Sequence, residues 1–205
     1  MLASSSIIRD IDAMQKSGSA LLAFFYCQGD QKVDLGGLLS SLVVQLCRQS
    51  DTYCDILLEF YSDHDEGLQP PSNDALAECL KNLLKLPGHA PIYLVIDALD
   101  ECSSSPVSSS PRAEILELIA ELIESPFLNL RICVTSRPEP DIKVVLDRVN
   151  PLFFRSVSLH DESGQKRDIE NYIKSFVNTN PRSRMWGEKE KQLVIDTLVE
   201  KADGT

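Results

Sequence analysis

The chain is short of positive charge. Lys and Arg number 20 against 31 Asp and Glu, a net charge of −11. Nucleic-acid backbones and anionic membrane surfaces call for basic patches, so neither is the expected main partner. Long hydrophobic runs are missing too: no stretch approaches the roughly 18 apolar residues of a membrane-crossing helix. The start, MLASSSIIRD, has no basic segment followed by an apolar one and does not read as a leader. None of the six cysteines (Cys27, Cys47, Cys54, Cys79, Cys102, Cys133) stands in a C-x-x-C pair. Most lie in apolar periodic segments, which argues for reduced, buried thiols in a cytoplasmic protein rather than for disulfides or zinc. The three histidines, His64, His89 and His160, lack metal-ligand spacing and read as surface or loop residues. Ser136 is in no G-x-S-x-G pattern, so a nucleophilic serine is not expected.

What is present is an ordinary globular composition, 43% hydrophobic and 25% charged, long enough for one domain and a small appendage. Helical spacing of apolar residues marks residues 4–16, Leu35 to Gln49, Thr52 to Tyr61, Asn73 to Leu86, 112–124, 140–149, Asp168 to Val177 and Glu188 to Lys201. Between them lie short apolar runs of strand length: ALLAFFYC (20–27), Pro91 to Ile96, LRICVT (130–135) and FFRSVSL (153–159). Buried strands without alternation, separated by helices, predict an α/β fold with a parallel sheet. The last two helices have no strand between them, so residues 1–160 read as the α/β core and 161–205 as the start of a helical part. SSSPVSSSP (103–111) reads as a low-complexity loop.

Chemistry concentrates at two strand ends. PIYLVIDALDEC delivers Asp97, Asp100 and Glu101 directly after an apolar strand, and LRICVTSRPEP delivers Thr135, Ser136 and Arg137. Parallel strands point the same way, so both ends reach one edge of the sheet, where α/β proteins bind ligands. Strands also end in polar residues simply on meeting solvent. Carboxylates that suit Mg²⁺ beside an arginine that suits phosphate nevertheless point to a nucleoside triphosphate site.

These residues resemble a known family. IYLVIDALDEC is similar to the Walker B segment of the NACHT-type NTPases of the STAND class. RICVTSRPEP is similar to their sensor 1 segment. The nearest group is the fungal one with a nephrocystin 3-like N-terminal domain, whose second strand ALLAFFYCQGD resembles. SLHDESGQKRDIENYIKSFV resembles the lead into its helical subdomain. The resemblance implies that Asp97 holds Mg²⁺, that Asp100 or Glu101 polarises the attacking water, and that Arg137 senses the γ-phosphate of ATP or GTP. Phosphoryl transfer rests on positioning and charge neutralisation, which such residues supply.

The sequence departs from the family in one respect. No G-x-x-x-x-G-K-[ST] phosphate loop occurs. Gly36-Gly37 lacks the lysine, and Gly164-Gln165-Lys166-Arg167 lacks the first glycine and the Ser/Thr. LASSSIIRDIDAMQK resembles the body of the helix that follows that loop, so Met1 is expected just past it. The expectation is then a P-loop NTPase-like parallel-sheet core lacking its first strand and phosphate loop, binding ATP or GTP with Mg²⁺ poorly and not hydrolysing it alone. In the family the first strand lies beside the sensor 1 strand. Without it, backbone groups of LRICVT stay unpaired, at about 1–3 kcal/mol each, against a total stability of about 5–15 kcal/mol. FFRSVSL closes that gap, another protein supplies a strand, or the fold is marginal. The alternative function is a non-catalytic protein–protein interaction module that keeps the fold. Protein partners are expected under either reading, and the oligomeric state is left open.

Overall fold

The computed structural model describes residues 2–27, 33–86, 90–103, 110–149, 155–157, 165–180, 183 and 185–202. It divides into two compact units, Met1–Phe154 and Arg155–Thr205. In the first unit the order is α1 (Leu2–Lys16), β1 (Leu21–Tyr26), α2 (Leu35–Cys47), α3 (Asp51–Asp63), α4 (Asn73–Lys85), β2 (Ile92–Asp97), α5 (Pro111–Glu124), β3 (Leu130–Val134) and α6 (Pro140–Leu146). The strands form one parallel sheet in the order β1-β2-β3. Parallel neighbours need long crossovers, which α2 to α4 and α5 provide.

The register sets two faces. Leu22, Tyr93 and Arg131 lie in one row, and Phe24, Val95 and Cys133 in the next. On that face α1 packs Ile7, Ile8 and Ile11 against Leu22, Phe24, Tyr93 and Val95. The opposite face carries the larger core: Ala23, Ile92, Leu94 and Ile96 meet the apolar sides of α2, α4 and α5. Those helices form where the sequence places a cap before an apolar stripe. The Asp34 carboxylate accepts from Gly37 N at 2.7 Å, Ser72 Oγ from Ala75 N at 3.2 Å, and Ser110 Oγ from Ala113 N at 3.2 Å. Gly36 lets the starts of α2 and α4 close up, since a Cβ there would sit 2.8 Å from Asn73 Oδ1. The central strand β2 is the most buried of the three.

The second unit holds α7 (Gln165–Thr179) and α8 (Glu188–Ala202). Among the described residues Val177 and Ile195 are its buried apolar side chains. Ser183 is buried as well and donates to Val177 O at 2.6 Å. Among the described residues no helix is long and apolar enough to cross a membrane.

Two expectations change. Arg155–Val157, the described part of FFRSVSL, is not strand; the rest of that run lies outside the described residues, as do His89, His160 and the middle of the SSSPVSSSP loop. Arg155–Val157 are exposed, and so lack the burial that offsets the entropy of ordering a strand. The thiols are also not uniformly buried: Cys54 is exposed and Cys133 half-buried, although all six are free.

Candidate functional site at the carboxyl ends of β2 and β3

β2 runs apolar and buried to Ile96 and then places Asp97 in the interior, only 3% exposed. A buried carboxylate needs donors. Thr135, one residue beyond β3, supplies one: its hydroxyl donates to Asp97 Oδ1 at 2.5 Å. The Thr135 hydroxyl oxygen in turn accepts from Ala98 N at 3.0 Å. Thr135 also continues the ladder, with its N–H on Ile96 O at 2.9 Å and its carbonyl accepting from Leu99 N at 2.9 Å. One residue therefore joins the two strand ends through four bonds.

The chain then turns sharply. Ala98 lies in the left-handed region at φ 57°, ψ 49°, a conformation that costs a residue with a Cβ about 1–2 kcal/mol. The turn drives Leu99 into the core, fully buried, and leads into a 3₁₀ turn over Leu99–Glu101. Asp100 and Glu101 come out at the sheet's edge. The Asp100 carboxylate accepts from Arg137 N at 3.0 Å and lies 3.5 Å from Arg137 Nε. The guanidinium is 81% exposed and the Asp100 side chain 11%, so the ion pair is screened by solvent on the arginine side. Glu101 is exposed on the same turn.

Arg112 holds the turn from behind. It sits in the first turn of α5, where the helix dipole disfavours a cation, yet its side chain is only 7% exposed. Asp141 of α6 compensates it at 2.8 Å, and Arg112 Nη1 donates to Asp100 O at 3.0 Å. Sequence reading passed over Arg112, because an arginine beside a helix cap reads as surface. The signal that was available is the pairing of Arg112 with an acid at the start of the next helix.

The structure thus brings Asp97, Asp100, Glu101 and Arg137 to one end of the sheet, with Thr135 between them. His64 is elsewhere, closing α3 with Nδ1 at 2.8 Å from Phe60 O. The donor set is carboxylate oxygen. Among the described residues no group of three His, Cys, Asp or Glu side chains forms a protein-only metal cage. Carboxylate oxygen suits Mg²⁺, which takes one or two carboxylates and completes its shell with phosphate oxygens and water.

The family model "Nephrocystin 3, N-terminal" matches residues 1–137, from α1 to the arginine of this site. The chain is also similar to "Vegetative incompatibility protein HET-E-1" of Podospora anserina, 31% identical over 174 residues. That match covers 82% of this chain and 12% of the relative, so the chain spans a small part of that protein's length. No solved structure matches the chain.

Proposed function

The chain belongs to the nephrocystin 3 N-terminal family, and from that premise we propose that it carries the acid-bearing side of a NACHT-type nucleotide site used in signalling. The observation that carries this reading is the buried Asp97 at the carboxyl end of the central parallel strand, pinned by Thr135 of the neighbouring one. In this reading Asp97 holds Mg²⁺ of a bound ATP or GTP. Asp100 or Glu101 orients the attacking water, and Arg137 leaves Asp100 to meet the γ-phosphate. The bound Mg²⁺ supplies charge neutralisation at the phosphates; the residues position and polarise. The 205 residues contain no phosphate loop. By themselves they are expected to bind nucleotide weakly and to show no efficient hydrolysis.

Hydrolysis assays on the full-length protein test the assignment. Glu101→Gln or Asp100→Asn, whichever removes the water-polarising group, is expected to lower kcat at least about 100-fold while nucleotide still binds. Unchanged kcat in both variants contradicts the assignment. A second reading, a non-catalytic interaction module, is favoured by the Asp100–Arg137 pair, in which two groups needed for catalysis already satisfy each other. It is distinguished by an absence of nucleotide turnover in the wild type.

A further inference from the structure

Two segments carry the chemistry proposed for this site: the turn with Asp100 and Glu101, and the stretch after β3 with Arg137. We propose that Arg112 and Asp141, to which the nucleotide reading gives no role, are positioning residues that hold these two segments to each other. The contacts close into a ring. Arg112 Nη1 donates to Asp100 O at 3.0 Å, and Arg112 Nε donates to Asp141 Oδ2 at 2.8 Å. Asp141 lies four residues past Arg137, and Arg137 N donates back to Asp100 Oδ1 at 3.0 Å. Asp100 is thus gripped twice, at its carbonyl by Arg112 and at its carboxylate by Arg137.

Each link of the ring is stiff for a physical reason. Pro138 and Pro140 fix φ on either side of Glu139, and Glu139 N donates to Arg137 O at 2.8 Å. Ile142, 3% exposed, anchors the start of α6 in the core. A fixed Asp141 therefore fixes the backbone of Arg137. On the other side, an arginine buried in the first turn of α5 is unfavourable by itself, through desolvation and the helix dipole. It is held there by one bond to each segment. The guanidinium is planar and presents its donors as a rigid fork, so both acceptors are set in direction as well as distance. A lysine ammonium on its flexible stem keeps the charge but not the fork.

What the ring does for turnover rests on the nucleotide reading. In that reading the Arg137 guanidinium leaves Asp100 for the γ-phosphate. The bond from the Arg137 backbone stays, so the Asp100 carboxylate keeps its direction and Glu101, the next residue, keeps its place on the turn. Asp97 is held separately, by Thr135. Loss of the ring is therefore expected to lower kcat and to leave binding of Mg²⁺ and ATP close to wild type.

The test compares Arg112→Lys, Asp141→Ala and Asp141→Asn in the full-length protein. Rapid-quench hydrogen exchange, without nucleotide, follows the Arg137 amide against the Leu94 and Val95 amides of the central strand. Arg112→Lys and Asp141→Ala are expected to speed exchange at Arg137 roughly tenfold and to leave the strand unchanged, whereas a general loss of stability speeds both. Asp141→Asn keeps an oxygen acceptor for Arg112 Nε and is expected to stay within about threefold of wild type. In turnover, the first two variants are expected to lower kcat roughly 10- to 100-fold, with the Kd for ATP in Mg²⁺ changed less than about threefold. If Arg112→Lys does not fold, Asp141→Ala decides, since the half-exposed Asp141 site lets water reach the guanidinium. Exchange at Arg137 that matches wild type, or that rises together with the strand, overturns the proposal. So does an unchanged kcat in variants of a wild type that turns over. A wild type without turnover sinks the nucleotide reading alone, and the exchange result then decides the ring.

Discussion

The two edges of the sheet are finished in opposite ways. In β1 the odd-numbered residues face β2, as the bonds from Leu21 N to Pro91 O and Cys27 N to Asp97 O fix, so Leu22 and Phe24 turn their backbone outward. Two side chains meet them, one from α2 and one from the turn just after it. Gln49 accepts from Leu22 N at 2.9 Å and donates to Leu22 O at 2.6 Å. Gln45 does the same for Phe24, at 3.0 and 2.8 Å. A carboxamide presents the donor and acceptor of a peptide group, so the pair stands in for a neighbouring strand. In β3 the bonds at Asn129 and Thr135 face β2, which turns Leu130, Ile132 and Val134 outward. There, among the described residues, β3 pairs only with β2, and an outward carbonyl is met at Leu130, by the Arg131 guanidinium at 2.9 Å. The closed edge is finished from within the chain, whereas the open edge adjoins the strand end that carries Thr135 and Arg137. Among the described residues, the β1 edge has its outward backbone capped by side chains, as edge strands require, and the β3 edge is capped in this way at Leu130.

The most direct way to erase the difference is to remove the caps. Gln45→Ala with Gln49→Ala takes four hydrogen bonds from β1, at about 2–4 kcal/mol in all, since water in the adjoining groove recovers part of them. Urea denaturation measures the loss. Hydrogen exchange is expected to bring the Leu22 and Phe24 amides to the rates of Ile132 and Val134. Cutting the link between β2 and the open edge has the next largest effect. Thr135→Val keeps the shape but leaves Ala98 N and the Asp97 carboxylate without the hydroxyl, at about 1–3 kcal/mol. An unchanged urea midpoint in either variant contradicts the corresponding assignment.

Alkali sharpens the comparison, because the helix carrying Gln45 also carries Cys47. Burial pushes that thiol from its ordinary 9.0 up to about 12. Below pH 9 it is neutral folded and unfolded, and its contribution is fully present. Above pH 9 only the unfolded chain ionises, so stability falls until about pH 12, by at most about 1.4 kcal/mol per pH unit. Cys47→Ala is expected to lessen the fall of the urea midpoint between pH 9 and 10, leaving the part owed to the other buried groups pushed the same way, Cys79, Cys133 and Tyr53, and a slope that the substitution leaves unchanged contradicts the cause. The smallest effect belongs to the turn between the edges. Ala98→Gly relieves the left-handed strain at φ 57°, but the freer unfolded chain offsets about 0.4–1 kcal/mol of the gain. The expected net is a stabilisation below about 1 kcal/mol, seen as a small rise in Tm.

How legible this was in the sequence follows from what each residue's signal is. The three strands and all the helices were readable within a few residues, because caps and apolar periodicity are local. The positions of Asp97, Asp100, Glu101 and Arg137 at one edge followed from the strand ends and the parallel order. The edge caps were not readable. Gln45 on the polar side of α2 and Gln49 in the turn after it stand where glutamine is commonplace, and their partners lie more than 20 residues away. Thr135 was placed at the strand end, but its hydrogen bonds to both Asp97 and Ala98 depend on the β2–β3 register. The reading of FFRSVSL as strand rests on its length and weak alternation, and Arg155–Val157 do not take that form.

The claim that the acid-bearing strand ends form a nucleotide site is tested most directly by calorimetric titration of ATP into the full-length protein, with and without Mg²⁺, for wild type and Asp97→Asn. The account predicts saturable, Mg²⁺-dependent binding in the wild type, at least about tenfold weaker in the variant (about 1.4 kcal/mol), with the variant still melting cooperatively. Equal affinity in the two proteins, or no heat from the wild type, would contradict it.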